Sequence, residues 1–138
     1  MTIDMTSGEF RQLLDLVYIG NWILNSTRGD DRIVEYDKIE SKLFGLCRGT
    51  PLSSLVENRL GVSLPSRAFC EGGIQDAIAY YEDGVFFDIL AEELSKRDMG
   101  YPEITGENYA ELTRRMDRYL EEFNENGVEN VSIEGMEE

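Results

Sequence analysis

Histidine is missing from all 138 residues. With it go the commonest general base, the Ser-His and Cys-His nucleophile pairs and the commonest transition-metal ligand. Cysteine is scarce as well: Cys47 and Cys70 are the only two and are not spaced as a CxxC pair, so neither a disulfide framework nor a thiolate metal site is expected. No run approaches the roughly 18 apolar residues of a membrane span; the densest, Val17 to Leu24, is interrupted by Gly20 and Asn21. The opening Met1-Thr2-Ile3-Asp4-Met5 has no basic region followed by an apolar stretch, so a secretory signal is not expected and a cytoplasmic location is. Positive charge is in short supply, with 13 Lys and Arg against 28 Asp and Glu, a net charge of −15.

What remains is the composition of a folding chain, 41% hydrophobic and 30% charged, at a length that buries a core without staples. The charge is unevenly placed. Residues 1–70 hold nine acids and eight bases, net −1, whereas residues 71–138 hold nineteen acids and five bases, net −14. Such a surface repels a phosphate backbone and attracts basic partners, which disfavours direct binding of nucleic acid. The same charge also keeps a protein soluble, so it names no partner by itself.

Helical periodicity dominates the chain. A capping-box spacing at Thr6-Ser7-Gly8-Glu9 opens a first helix to about Asn25, with Phe10, Leu13, Leu14, Val17 and Leu24 on one face. A second helix is expected from about Arg32 to Cys47, with Tyr36, Ile39, Leu43, Leu46 and Cys47 as its core stripe. Leu52, Leu55, Val56 and Leu60 suggest a short helix closed by Gly61, and Ile74 to Tyr81 two further turns, with Glu82-Asp83-Gly84 as a break. Helices over about 85–98 and 108–125 follow, the latter aligning Tyr109, Leu112, Met116, Tyr119, Leu120 and Phe123. Val128, Val131 and Ile133 alternate weakly in an acidic tail that either frays or forms a short strand. The expected fold is therefore all-α: a compact bundle of about four main helices plus one or two short ones, with a possible minor C-terminal strand. Residues 1–126 form a single helical domain and 127–138 an acidic tail in this reading.

A few residues stand out for function. Ile19, Trp22 and Ile23 make a second apolar side on the first helix, either because that helix is flanked on both sides or because the side is an interface, where Trp is an enriched anchor. Asn21 and Glu40 fall on inward stripes, where a polar group left unpaired costs roughly 1–3 kcal/mol. Glu40 reads as a catalytic or metal-binding carboxylate, or as a structural group paired to an arginine. Cys70, beside Glu71-Gly72-Gly73, reads as a loop nucleophile or as a small buried hydrophobe, and Gly72-Gly73 lacks the lysine and spacing of a phosphate loop.

Two resemblances are partial. Glu121-Glu122-Phe123-Asn124-Glu125 matches half of the motif of MazG-type all-α nucleotide pyrophosphohydrolases, but no E-x-x-D follows, and the reading is rejected. Tyr81 to Asp98 resembles a segment of a small acidic bacterial protein family, in which an aromatic-rich helix ends in Leu-x-x-Arg-Asp, here Leu94-Ser95-Lys96-Arg97-Asp98. That resemblance implies no activity. The expected function is a non-enzymatic interaction domain that engages a basic protein surface, without cofactor or metal, through Trp22, Ile19, Glu111, Asp117, Glu121, Glu122, Glu125 and Glu129. A sharper form is a nucleic-acid mimic such as a phage-encoded inhibitor. The competing expectations are a carboxylate-dependent Mg²⁺ or Mn²⁺ enzyme built on Glu40 and a homodimer built on Trp22 and Ile19.

Overall fold

Thr6 accepts a hydrogen bond from the Glu9 N–H at 3.2 Å while its own N–H donates to the Glu9 carboxylate at 2.8 Å, and this capping box starts helix α1, Ser7–Asn25. A computed structural model describes residues 2–136, and Met1, Glu137 and Glu138, the last two in the expected tail, lie outside the described residues. After α1 come α2 (Val34–Gly45), a 3₁₀ turn (Ser53–Leu55), β1 (Val56–Arg59), β2 (Val62–Pro65), a single turn α3 (Arg67–Phe69), a π-type turn (Cys70–Ile74), α4 (Gln75–Asp98) and α5 (Tyr109–Asn126). No helix among the described residues is long and apolar enough to cross a membrane. The chain divides into two compact units at Ile78–Ala79.

The first unit closes around Leu14, Phe44, Cys47, Phe69, Ile74 and Ile78. Phe69 is its hub: the Phe44 ring meets it edge-on at 4.9 Å, the Tyr18 ring at 5.2 Å, and the Arg11 guanidinium lies 4.7 Å from its centroid. The inward line of α1 is Leu14, Tyr18, Asn21 and Asn25, spaced as one helix face, and Ile19 and Trp22 pack against the core from its flank. The inward line of α2 is Asp37, Glu40 and Phe44, continued just past its end by Cys47; of the expected stripe Cys47 and Leu43 do reach the core, whereas its other three members are turned outward. Tyr36, Ile39 and Leu46 are 45%, 52% and 58% exposed. The polar halves of the two lines face each other, which is why apolarity alone misplaces Tyr36, Ile39 and Leu46.

The expected short helix before Gly61 is instead a β-hairpin, so the fold is mostly helical with a small two-stranded sheet rather than purely α. Arg59 pairs with Val62 across a two-residue loop in which Leu60 and Gly61 both have positive φ, 50° and 83°. That combination is the tight hairpin turn whose twist suits its strands, and a glycine read as a helix stop serves it. Ser66 then accepts from the Phe69 N–H at 3.2 Å and donates to the Ser54 carbonyl at 2.6 Å, tying the hairpin's exit to its entry.

In the second unit α4 meets α5 where the Phe87 and Phe123 rings lie 5.5 Å apart and where the Tyr119 hydroxyl reaches Asp98, and Ala91, Ser95, Leu112 and Phe123 are buried. The expected break at Glu82-Asp83-Gly84 does not occur, because α4 runs unbroken through Gly84. A glycine inside a helix lowers its stability by about 1 kcal/mol and does not by itself end it. The true interruption is earlier, at Gly73, whose φ of 101° no other residue adopts readily. The described part of the tail, residues 127–136, forms turns and no strand.

Candidate functional site

Two places bring functional side chains together, one in each unit. In the first, Asn25 is 1% exposed and holds three hydrogen bonds. Its amide donates to Asn21 Oδ1 at 2.8 Å and to the Ile33 carbonyl at 3.0 Å, and its oxygen accepts from the Ile33 N–H at 2.9 Å. Asn21 in turn donates to Asp37 at 3.0 Å and to Glu40 at 3.1 Å. Arg32 grips Asp37 through Nε and Nη2 at 2.7 and 2.8 Å and holds the Asp37 carboxyl below the usual aspartate range. Burial pushes the Glu40 carboxyl the other way, above the usual glutamate range.

Glu40, Asn21, Tyr18, Trp22, Ser26 and Arg32 line an open cleft of about 300 Å³. Burial first, then Cys70 and Glu40, raise the Tyr18 phenol to about 12, so it stays protonated at neutral pH. Its oxygen accepts from Gln75 Nε2 at 2.8 Å. Glu40 is thus neither exposed at a stripe's edge nor ion-paired: it faces an amide and a cleft. Among the described residues no three carboxylate or cysteine side chains converge in a way that would hold a metal ion. Cys47 is fully buried, with its thiol pushed up by burial, and Cys70 is half-buried beside Tyr18; both are free.

The second place is the outer surface of α5. Asp117 and Glu121 share a groove of about 680 Å³ with Asp88 of α4, over a floor that includes Phe87, Leu120 and Phe123. Asp88 was not singled out by the sequence, where it sits in an aromatic run with nothing to mark it as a neighbour of α5. The other acids are dispersed. Glu111 is bound to Arg115 at 2.7 Å, which lowers its carboxyl pKa. Glu122 accepts from Asn130 at 2.5 Å and Asn126 at 2.9 Å, and both bonds hold its carboxyl low. Glu122 borders a second hollow with Asp98, Arg115, Arg118 and Tyr119, where the Tyr119 hydroxyl donates to Asp98 at 2.6 Å. Glu125 is exposed on α5, Glu129 is exposed beyond its end, and Arg114, Arg115 and Arg118 are interleaved with the acids. Ile19 and Trp22, both half-buried, pack against the core of the first unit, and of the two Trp22 lines the cleft.

By unit, residues 1–78 carry eleven acids and eight bases, net −3, and residues 79–138 carry seventeen acids and five bases, net −12. In the second unit Glu92, Glu93, Asp98 and Glu111 are ion-paired. Its other eleven described acids form no ion pair among the described residues. No protein-family model, curated protein or solved structure matches this chain.

Proposed function

We propose that the second unit is a recognition module that docks an acidic surface onto a basic surface of another protein, without chemistry of its own. The observation that carries this reading is the segregation of charge between the units, with eleven described acids of the second left without an internal cation. Like charges held together on one small unit repel one another, and a basic partner relieves that repulsion while steering association. The groove of Asp88, Asp117 and Glu121 gives the contact a centre, because its aromatic and aliphatic floor offers the apolar contact that charge alone does not provide. The interleaved arginines of α5 argue for a protein partner rather than for imitation of a nucleic-acid backbone, whose charge is of one sign.

The test is affinity capture from the native host with wild-type protein and with a variant carrying Asp88→Asn, Asp117→Asn and Glu121→Gln. A basic protein retained by the wild type and lost with the variant supports the reading. A captured set that is the same for both proteins refutes the groove as the docking centre, and a partner without a basic surface refutes the reading as a whole.

A further inference from the structure

Glu40 is a half-buried acid of the first unit with no ion-pair partner among the described residues. Arg32 commits Nε and Nη2 to Asp37 and Nη1 to the Asn25 carbonyl at 3.4 Å, so its guanidinium is engaged on every nitrogen. Among the described residues no Lys or Arg is ion-paired to Glu40, and the one donor it has is the Asn21 amide at 3.1 Å. Arg32, Asp37 and Glu40 together carry a net charge of −1. A half-buried carboxylate with a single neutral donor is costly, and the nearby Arg32, committed to Asp37, offsets that cost only through space.

The cleft in front of it has the complementary walls. Tyr18 and Trp22 stand with ring centroids 6.2 Å apart and planes tilted by 33°, and Gln75 Nε2 donates to the Tyr18 hydroxyl. The volume of about 300 Å³ suits a small organic group. Arg32 also lines the cleft, but its nitrogens are committed to Asp37 and Asn25, so an anion entering there would meet Glu40 without a free cation, and a neutral apolar group would strip water from the carboxylate without replacing it. A positively charged amine satisfies both features, since aromatic faces attract cations and the carboxylate supplies the counter-charge. We infer that this cleft is a binding site for an alkylammonium group, with Glu40 pairing to the nitrogen and Tyr18 and Trp22 enclosing the carbon chain. Free amines and lysine side chains share this chemistry. The site is separate from the acidic groove of the second unit and does not depend on it.

Trp22 is the single tryptophan of the chain, so its emission reports on the cleft directly. The full chain is titrated with n-butylammonium chloride, with 1-butanol as the neutral analogue of similar shape, and with potassium chloride as the control for ionic strength. The expected result is a saturable change in Trp22 emission with the amine and none with the alcohol or salt. Glu40→Gln, which keeps an oxygen for Asn21, weakens the amine at least tenfold while leaving the urea unfolding midpoint no lower. Asp37→Asn is the second variant: it frees Arg32 to pair with Glu40 and also weakens the amine. Putrescine and Nα-acetyl-lysine methylamide then separate the sources, the tighter of the two naming a free amine or a protein lysine. Equal responses to butylammonium and butanol, or an amine affinity unchanged in both variants, overturn the inference.

Discussion

Replacing Asn25 with alanine removes three hydrogen bonds from a side chain that is 1% exposed, and the loss can be worked through. Each neutral bond nets about 0.5–1.5 kcal/mol, so the three together come to about 3 kcal/mol. Two of them meet the N–H and C=O of Ile33, the residue immediately before α2, which has no other side-chain cap. The third orients Asn21, which in turn holds Asp37 and Glu40. For a unit of this size 1 kcal/mol shifts the melting temperature by about 4–8 °C, which predicts a fall of about 12–24 °C for Asn25→Ala. Urea unfolding followed by Trp22 emission isolates the first unit, because the second contains no tryptophan. A destabilisation below about 1 kcal/mol would mean that water replaces these bonds without loss, and the polar seam between α1 and α2 would then not hold the unit together.

Three further outcomes follow from single side chains. Gly84→Ala stabilises the second unit by about 0.5–1 kcal/mol, because Gly84 is inside α4 and an added Cβ meets nothing within 4 Å; a lower urea midpoint by far-UV circular dichroism would contradict the unbroken helix. Ser95→Ala, at a fully buried hydroxyl with no hydrogen-bond partner, changes stability by less than about 0.5 kcal/mol or raises it, and a loss above about 1 kcal/mol would reveal a bond that the geometry does not contain. Glu40 has a folded pKa raised above its unfolded value, so the folded chain binds its proton more tightly and the associated stability is present in acid and lost as pH rises through the folded value. Glu40→Gln therefore gains stability relative to wild type between about pH 4 and 7, measured as urea midpoints, and a constant difference across that range would contradict the burial of this carboxylate.

The parts of the fold legible in the sequence are those governed by local chemistry. Thr6 and Glu9 announce the start of α1 because a capping box needs only residues three apart, and α5 shows a clean apolar stripe because one side of it faces solvent. What escaped is what depends on distant partners. α2 was oriented by its apolar residues, but its inward line includes Asp37 and Glu40, which are accommodated only because Asn21 and Asn25 face them from α1. The hairpin was hidden because Leu60, a poor residue for positive φ, occupies half of its turn, so the familiar Asn-Gly signal is missing. Among candidate site residues, Asp117 and Glu121 do meet, yet their neighbour Asp88 comes from another helix and no spacing rule connects them. Glu40 was visible as a polar residue in an apolar stripe. The Tyr18–Trp22 wall of its cleft was not, since Trp22 read as part of a second apolar side and Tyr18 carried no signal of its own.

The most direct measurement is the ionic-strength dependence of affinity between this protein and the basic protein it captures, by titration calorimetry from about 50 to 200 mM salt, for wild type and for the variant neutralised at Asp88, Asp117 and Glu121. Binding through the acidic unit predicts an affinity that falls at least tenfold over that range for wild type, and a weaker, flatter dependence for the variant. An affinity indifferent to salt and equal for both proteins would place the docking surface elsewhere and contradict the proposed role of the charge.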